Sequence, residues 1–311
     1  MFIIKNKKIF LSIAGFLAAC AVGAVLFFGL NFGIEFTGGT ILQISYEEGN
    51  VPAFGDVESA ITEIDSERTF TLQEAGESGY MVRTRTLDEE ERVDILNALS
   101  FNGFEAEEER FSSIGPSMGA ELANKAITAI VLIVIAIILF IAYVFRGVAK
   151  PVSSWKYGTT AVVALIFDTL IPIGLFAVLG FYLGAEIDVL FITALLAILG
   201  FSVNDTIVVF DRIRENLQFN KEFRINKSFS ETVGESLEQA YTRSINTSLT
   251  TLLVLGTLFF LGPEVTQFFS LVLITGVIAG TYSSLFLASP LLVTLEEVQR
   301  RKAEKGQEQS A

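Results

Sequence analysis

The sequence predicts a polytopic α-helical membrane protein with six transmembrane helices and a small α+β, ferredoxin-like extracytoplasmic domain between helices 1 and 2. Of its 311 residues, 51% are hydrophobic and 18% are charged, and its mean hydropathy is positive. This composition is typical of a chain that crosses a bilayer several times. Six apolar stretches are long enough to span the membrane: residues 9–30, 126–145, 158–182, 187–210, 244–262 and 266–293.

The charge of the chain is unevenly distributed. Residues 31–121 hold 20 Asp and Glu against 5 Lys and Arg, whereas the rest of the chain is slightly basic. The sequence pI of 4.6 argues against nucleic acid as a partner. We therefore expect an acidic domain in one compartment and basic loops in the other.

The positive charges predict the topology. If six spans are assumed, all the basic clusters fall on one side of the membrane: Lys5, Lys7, Lys8, Arg146, Lys150, Lys156, the segment 212–227, Arg300, Arg301, Lys302 and Lys305. The short loops on the other side carry Glu186, Asp188 and Glu264 with no Lys or Arg. The positive-inside rule then places both termini in the cytoplasm. A cleavable signal ending at Cys20 is the alternative for the N-terminus, but the apolar run continues to Leu30 and favours an uncleaved span.

These observations divide the chain into four expected regions: 1–30 (N-terminus and first span), 31–121 (outer domain), 122–295 (spans two to six with their loops) and 296–311 (cytoplasmic tail). Within the outer domain, alternating and helical patterns predict strands at 40–47, 68–73, 80–86 and 105–114 and helices at 51–64 and 88–101. The resulting order β-α-β-β-α-β is that of a ferredoxin-like unit.

Charged and polar residues inside the apolar spans are the candidate functional residues. Asn204 and Asp205 lie within the fourth span, and Asp168 lies about ten residues from the cytoplasmic end of the third. Such residues are costly in a bilayer and are functional by default, usually in ion or proton pathways. Structural pairing is the alternative interpretation for both acids.

The fifth span carries a polar face. Arg243 heads a stripe that continues through Ser244, Thr247, Ser248 and Thr251. Arg243 extending to the headgroups, with the hydroxyls bonded to backbone, is the alternative to a functional face.

The residues that are absent restrict the chemistry. The chain has no histidine and a single cysteine, Cys20 in the first span, so an intrachain disulfide is excluded. A side chain that carries protons near neutral pH must then be a carboxylate in an unusual environment. The sequence lacks the G-x-x-x-x-G-K-[ST] motif and any metal or nucleophile constellation. We expect a transport protein with no cofactor rather than an enzyme.

Three motifs carry a family resemblance. The first is GFSVNDTIVVFDRIREN at residues 200–216, which ends in Asp211, Arg212, Arg214, Glu215 and Asn216. The second is FGIEFTGGT at residues 32–40, which ends in Phe36, Thr37, Gly38, Gly39 and Thr40. Taken alone, this second run predicts only a flexible turn before a strand. Together with GPSMGAEL at residues 115–122, the motifs resemble the SecF members of the SecD/SecF family, within the wider RND transporter superfamily.

The resemblance implies a subunit that works with SecD and the SecYEG export channel on a translocating polypeptide. It also implies coupling to the proton gradient across the bacterial plasma (inner) membrane. It favours Asp205, Asp168, Arg243 and Asn204 as relay residues, supported by the hydroxyl face of the fifth span. Phe167 departs from the family, which often has histidine before this acid, and puts a two-residue relay there in doubt.

Two other functions stay open. One is half of a small-molecule exporter of the same superfamily, although such exporters have two large outer domains and about twice as many spans. The other is a scaffold subunit without ion coupling, in which the buried acids serve only as pairing partners.

Overall fold

The computed structural model describes residues 2–47, 49–64, 70–76, 78–145 and 154–308. The chain divides into two compact units. A helical unit comprises Met1–Asn31 with Ala129–Ala311, and an outer unit comprises Phe32–Thr128. The division falls inside one helix, since α6 runs unbroken from Pro116 to Val144.

Six helices in the described part of the chain are long and apolar enough to cross a membrane, which confirms the predicted fold class. A short helix, α1 (Phe2–Lys5), precedes them. The spans are α2 (Lys7–Phe28), α6 (Pro116–Val144), α7 (Ser154–Leu183), α8 (Val189–Glu222), α9 (Phe229–Leu261) and a sixth span built from α10 (Gln267–Tyr282), a π-helical turn (Ser283–Ala288) and α11 (Ser289–Glu308).

Helices α8 and α9 continue well beyond their apolar runs. Helix α8 begins at the N-cap Asp188, whose carboxylate accepts from the Phe191 N–H at 2.7 Å. Helix α9 begins at a capping box in which Ser228 and Glu231 satisfy each other's backbone N–H groups. Hydropathy predicts only the apolar segments, whereas both helices also include the polar residues that flank those segments.

The outer unit has the predicted ferredoxin-like order. A short helix, α3 (Ile34–Thr37), precedes the first strand of this unit. Its elements are β1 (Gly39–Ser45), α4 (Phe54–Ile64), β2 (Thr71–Ala75), β3 (Gly79–Thr84), α5 (Glu89–Leu99) and β4 (Glu107–Ile114). The strands form an antiparallel sheet in the order β2-β3-β1-β4.

Some sequence predictions fall on other parts of the chain. The start of the second predicted strand at Arg68, the hairpin residue Glu77 and the loop residues Arg146 and Lys150 lie outside the described residues.

The core of the outer unit is apolar and its buried tyrosines are hydrogen-bonded. Leu42 and Val82 of the sheet are fully buried in one cluster with Leu99 of α5. Tyr46 donates its hydroxyl to the Leu99 carbonyl at 3.0 Å, and Tyr80 donates to the carbonyl of Pro52 at 2.7 Å. The polar tips of both side chains therefore find partners while their rings fill the core.

Close helix contacts organise the helical unit. A Cβ added at Gly276 of α10 would lie 2.2 Å from the Ile198 side chain of α8, and one at Gly280 would lie 3.3 Å from Ser202. Small residues let membrane helices approach closely. These glycines bring α10 against the buried face of α8, and the two serines that follow Tyr282 come to the same level as the intramembrane acids.

Candidate functional site

Asp205 lies on the buried face of α8 and is 7% exposed. The Ser244 hydroxyl of α9 donates to its Oδ1 atom at 2.7 Å. Its Oδ2 atom is buried and lacks a hydrogen-bond partner among the described residues. The predicted membrane acid therefore faces the bundle core with one oxygen bonded and one oxygen uncompensated.

Asp168 of α7 is fully buried at the same site. Ser202, one turn before Asp205 on α8, donates its hydroxyl to Asp168 Oδ2. The Oδ1 atom has no hydrogen-bond partner in the described part of the structure. The two carboxylates are close enough to interact electrostatically. The structure thus brings together the two acids that the sequence placed on different spans.

Phe167, which precedes Asp168, has a packing role. It is 5% exposed and belongs to an apolar cluster with Ala14 and Ala279. Its ring also lies 5.9 Å from that of Tyr282. This position holds α7 against α2 and α10.

Sequence reasoning missed the hydroxyls of the sixth span. Ser283 and Ser284 open the π-helical turn and are both fully buried. The Ser284 and Thr206 hydroxyls are 2.9 Å apart, and Ser283 donates to the Gly280 carbonyl at 3.1 Å. Two consecutive serines in an apolar span were the available signal, since a buried hydroxyl requires a partner.

Two predicted relay residues lie on the outside of the helical unit. Arg243 and Asn204 are both exposed. Arg243 is near enough to Asp205 to interact through its charge, but the two side chains form no ion pair among the described contacts. Ser244, the next residue, makes the contact instead. Helices α8 and α9 meet at Asp205, with α9 oriented so that the Ser244 hydroxyl rather than the Arg243 guanidinium faces the acid.

The predicted hydroxyl face of α9 lies partly in the core and partly on the surface of the helical unit. Ser248 is buried, donates to the Ser244 carbonyl at 2.9 Å and accepts from Thr281 at 2.6 Å. Thr251 donates to the Thr247 carbonyl at 3.0 Å at the surface of the helical unit. Only the inward half of the stripe continues the polar site.

The charged end of the α8 motif serves helix structure. Arg212 pairs with Glu215 at 2.9 Å, and Arg214 pairs with Asp211 at 3.2 Å. Spacings of three residues place such partners on one helix face. Asn216 instead reaches α9, donating to Ser236 Oγ at 2.8 Å and Gln239 Oε1 at 3.0 Å.

The glycine motif of the outer unit lies where two backbone segments cross at close range. Gly38 and Gly39 have φ angles of 74° and 128°, and a Cβ at Gly39 would lie 2.8 Å from the Thr84 carbonyl oxygen. The buried Thr40 hydroxyl lies 2.8 Å from that of Ser113 and accepts from the Leu87 N–H at 3.0 Å.

The two residues before the glycines complete this crossing. Thr37 donates its hydroxyl to the Gly33 carbonyl at 3.1 Å, and Phe36 is half-buried. The contacts of the whole motif are those of a structural element.

Within the described ranges, no group of three or more His, Cys, Asp or Glu side chains is placed to hold a metal ion. The site consists of two carboxylates, each with a free oxygen, surrounded by neutral hydroxyls. Carboxylates inside membrane spans occur mostly in ion or proton pathways.

Comparison with known proteins gives consistent matches. Residues 95–298 match the family model described as protein export membrane protein SecD/SecF, C-terminal, and residues 23–49 match the SecD/SecF GG motif. A relative from Thermobaculum terrenum, named protein translocase subunit SecF, is 41% identical over 88% of this chain and 86% of its own length. One of the same name from Anaerolinea thermophila is 34% identical over 94% of both chains.

A solved structure is similar as well. The crystal structure of SecDF from Thermus thermophilus, described as a translocon-associated membrane protein, matches with a TM-score of 0.78 and 30% identity. The match covers 94% of this chain but 38% of that one. The chain therefore spans about two fifths of the longer protein.

Proposed function

Because the chain belongs to the SecD/SecF family of protein export membrane proteins, we propose that it is a translocase subunit that works with SecD. In this proposal it assists the SecYEG channel of the bacterial plasma membrane and helps draw the translocating polypeptide outward. The names of the similar proteins support the export role, and the SecDF match supports the pairing with SecD.

The proposed energy source is the proton gradient, and Asp205 carries this proposal. Its side chain is 7% exposed within a membrane span, and one of its oxygens has no hydrogen-bond partner among the described residues. A carboxylate in this environment lowers the stability of the fold, so stability does not explain its presence. Binding a proton removes its charge and that cost. Asp168 is the second carrier, because it is fully buried and has an equally uncompensated oxygen.

Arg243 is proposed as a movable counter-charge. It interacts with Asp205 through space without an ion pair, so a shift of α9 that brings the guanidinium closer would favour the ionised acid. Asn204 accompanies it on the outer side of α8. Alternation between the two arrangements would couple proton binding to conformational change.

The test is Asp205→Asn, which preserves the shape of the side chain and removes its titration. Export in membrane vesicles is measured with and without a proton gradient, and the gradient-dependent part is expected to disappear. Arg243→Gln is expected to reduce the same component. Asp211→Asn, a half-exposed position six residues along the same helix, is the matched control and is expected to behave as wild type. Undiminished gradient-dependent export by Asp205→Asn would refute proton coupling through this acid.

The proposed orientation has both termini in the cytoplasm and the outer unit outside. The exposed residues Gln73 and Arg301 provide sites for single cysteines in a Cys20→Ala background. An impermeant thiol reagent added to intact cells is expected to modify the Gln73→Cys variant and to modify Arg301→Cys only after lysis. Equal modification of both before lysis would contradict the orientation.

A further inference from the structure

The sixth span contains a π-helical turn at the level of the two acids. Residues Ser283–Ala288 form this turn, which separates α10 from α11. π-Helical turns are rare and occur frequently at functional sites. Ser283 and Ser284 open it, and both side chains are fully buried.

Each of these serines lies beside a different acid. The Ser283 hydroxyl is next to the Asp168 carboxylate, and the Ser284 hydroxyl is next to Asp205. Their well-formed hydrogen bonds go elsewhere, from Ser283 to the Gly280 carbonyl and between Ser284 and Thr206. Each hydroxyl therefore has a present partner and an alternative one close by.

The alternative partners are incomplete. Asp168 Oδ1 and Asp205 Oδ2 are buried oxygens that have no hydrogen-bond partner in the described structure. An ionised carboxylate is a stronger acceptor than a neutral carbonyl or hydroxyl, and leaving it unpaired in a buried site is costly. Rotation of each serine hydroxyl satisfies an ionised acid, and protonation of that acid releases the hydroxyl again.

The other groups around the acids are fixed or neutral. Ser202 and Ser244 occupy the remaining carboxylate oxygens. The charged side chains that act on the pair are the two acids themselves and Arg243 from α9. Helix α10 and the π-helical turn contain no Asp, Glu, Lys or Arg, and the lysines of α2 lie at its first two positions.

We propose that Ser283 and Ser284 are positioning residues that join Asp168 and Asp205 into one coupled proton site, Ser283 serving Asp168 and Ser284 serving Asp205. When a carboxylate takes up a proton on its free oxygen, the serine keeps its own proton and changes only its acceptor. Because the serines are consecutive in one π-helical turn, the backbone of the sixth span responds to both acids. The inference rests on the proposed proton coupling and adds the residues that tie the two carriers together.

The test uses infrared difference spectra of the purified full chain in lipid nanodiscs, recorded during a pH titration. The carboxylate bands of the two ionised acids are assigned by their loss in Asp168→Asn and Asp205→Asn. Ser283→Ala is expected to shift the Asp168 carboxylate band, since the ionised group loses a donor, and to leave the Asp205 band in place. Ser284→Ala is expected to do the reverse.

A titration change is expected as well. The pH at which the affected band is half developed is expected to move by about one unit, since one hydrogen bond to a charged group is removed. Ser284→Thr retains a hydroxyl and is expected to restore the wild-type band. Ser270→Ala is the matched control, because Ser270 is fully buried in α10 and donates to the Thr266 carbonyl of its own helix.

Band shifts confined to the matching acid would support the proposal, whereas unmoved bands, or the same shifts in Ser270→Ala, would overturn it. If an alanine variant loses its helical circular dichroism, the corresponding Ser→Cys variant, which keeps the volume with a weaker donor, is read by the same criteria. The measurement needs no export activity. It therefore separates failure of this proposal from failure of gradient-driven export, which the Asp205→Asn assay reports.

Discussion

The outer unit and the helical unit differ in how their buried side-chain oxygens are paired. In the outer unit, the buried Tyr46, Tyr80 and Thr40 side-chain oxygens all have hydrogen-bond partners, and the buried polar atom without a partner among the described residues is a nitrogen, Arg92 Nε. Among the described residues, the buried side-chain oxygens without partners all belong to the helical unit: Tyr157, Asp168, Asp205 and Ser289.

This difference separates stability from function. A domain without disulfides and with a small core has to satisfy its buried polar groups, because each unpaired one costs a substantial part of a marginal stability. The helical unit accepts that cost at two acids. We therefore expect substitutions of buried polar groups to reduce stability in the outer unit and to reduce coupling in the helical unit.

Among the tests of this comparison between the two units, the largest effect is expected at Asp168. Asp168→Asn is expected to lower gradient-dependent export at least tenfold while the melting temperature stays the same or rises, because a buried charge without full compensation is removed. Export in vesicles and thermal unfolding of the purified protein are measured together. Thr160→Val is the control, since this buried hydroxyl of α7 bonds only its own helix backbone. A destabilised Asp168→Asn protein with normal coupling would reverse the comparison.

The next effect tests whether the helical unit is tightly packed despite its unpaired oxygens. Gly276→Ala places a methyl group 2.2 Å from Ile198 and is expected to cost about 1–3 kcal/mol of unfolding free energy. Gly256→Ala has open space around it and is expected to gain about 0.5–1 kcal/mol from helix propensity. Both are measured by thermal unfolding in detergent. Adding Ile198→Ala to Gly276→Ala should recover part of the loss, and equal stability of the two glycine variants would contradict close packing.

The smallest effect is in the outer unit. Tyr46→Phe removes the hydrogen bond to Leu99 and is expected to cost about 1 kcal/mol, with export unchanged. Burial, aided by the nearby Tyr80, raises the pKa of Tyr46 to about 12. In the unfolded chain the Tyr46 hydroxyl ionises near pH 10. Its contribution to the stability of the wild type is therefore complete below pH 10 and is lost as the pH rises through 12.

Thermal unfolding between pH 8 and about 12 measures this contribution. The Phe variant is expected to lose less stability over that range than wild type, and the exposed Tyr182→Phe variant serves as the control. Identical profiles for the wild type and Tyr46→Phe would show that the hydroxyl is not satisfied in the folded protein.

The sequence predicted where the helices and strands lie better than it predicted which side of each helix faces the core. Asn204 and Asp205 of α8 were both predicted to be relay residues, yet Asn204 is exposed and Asp205 is buried. The buried face instead includes Ser202 and Thr206. Neighbouring residues on a helix differ by about 100° in direction. A hydropathy pattern in a span that is apolar all round does not determine which of them turns inward.

Two further features depend on information that residue types do not carry. Arg243 and Asp205 were both predicted to be relay residues, but the contact of α9 with Asp205 is made by Ser244 rather than Arg243. The π-helical turn depends on which backbone carbonyl each N–H selects, and its sequence, SSLFLA, does not distinguish it from an α-helical segment. The two serines at its start were visible, but their relation to two acids on other helices required the packed structure.

The paired extensions of α8 and α9 have a mechanical consequence. Asn216 and Asn220 connect the two extensions by hydrogen bonds to Ser236, Gln239 and Thr232. We therefore expect the two helix ends to move together. Helix α8 ends at Glu222, 17 residues past Asp205, which is about 26 Å at 1.5 Å per residue. A tilt of about 5° pivoting at the acid would therefore move the tip by roughly 2 Å, as a lever amplifies a small angle through its length. A tilt too small to open a gap in the packed interior near Asp205 would thus displace the Glu222 end of α8 far enough to break or make a hydrogen bond with a neighbouring protein.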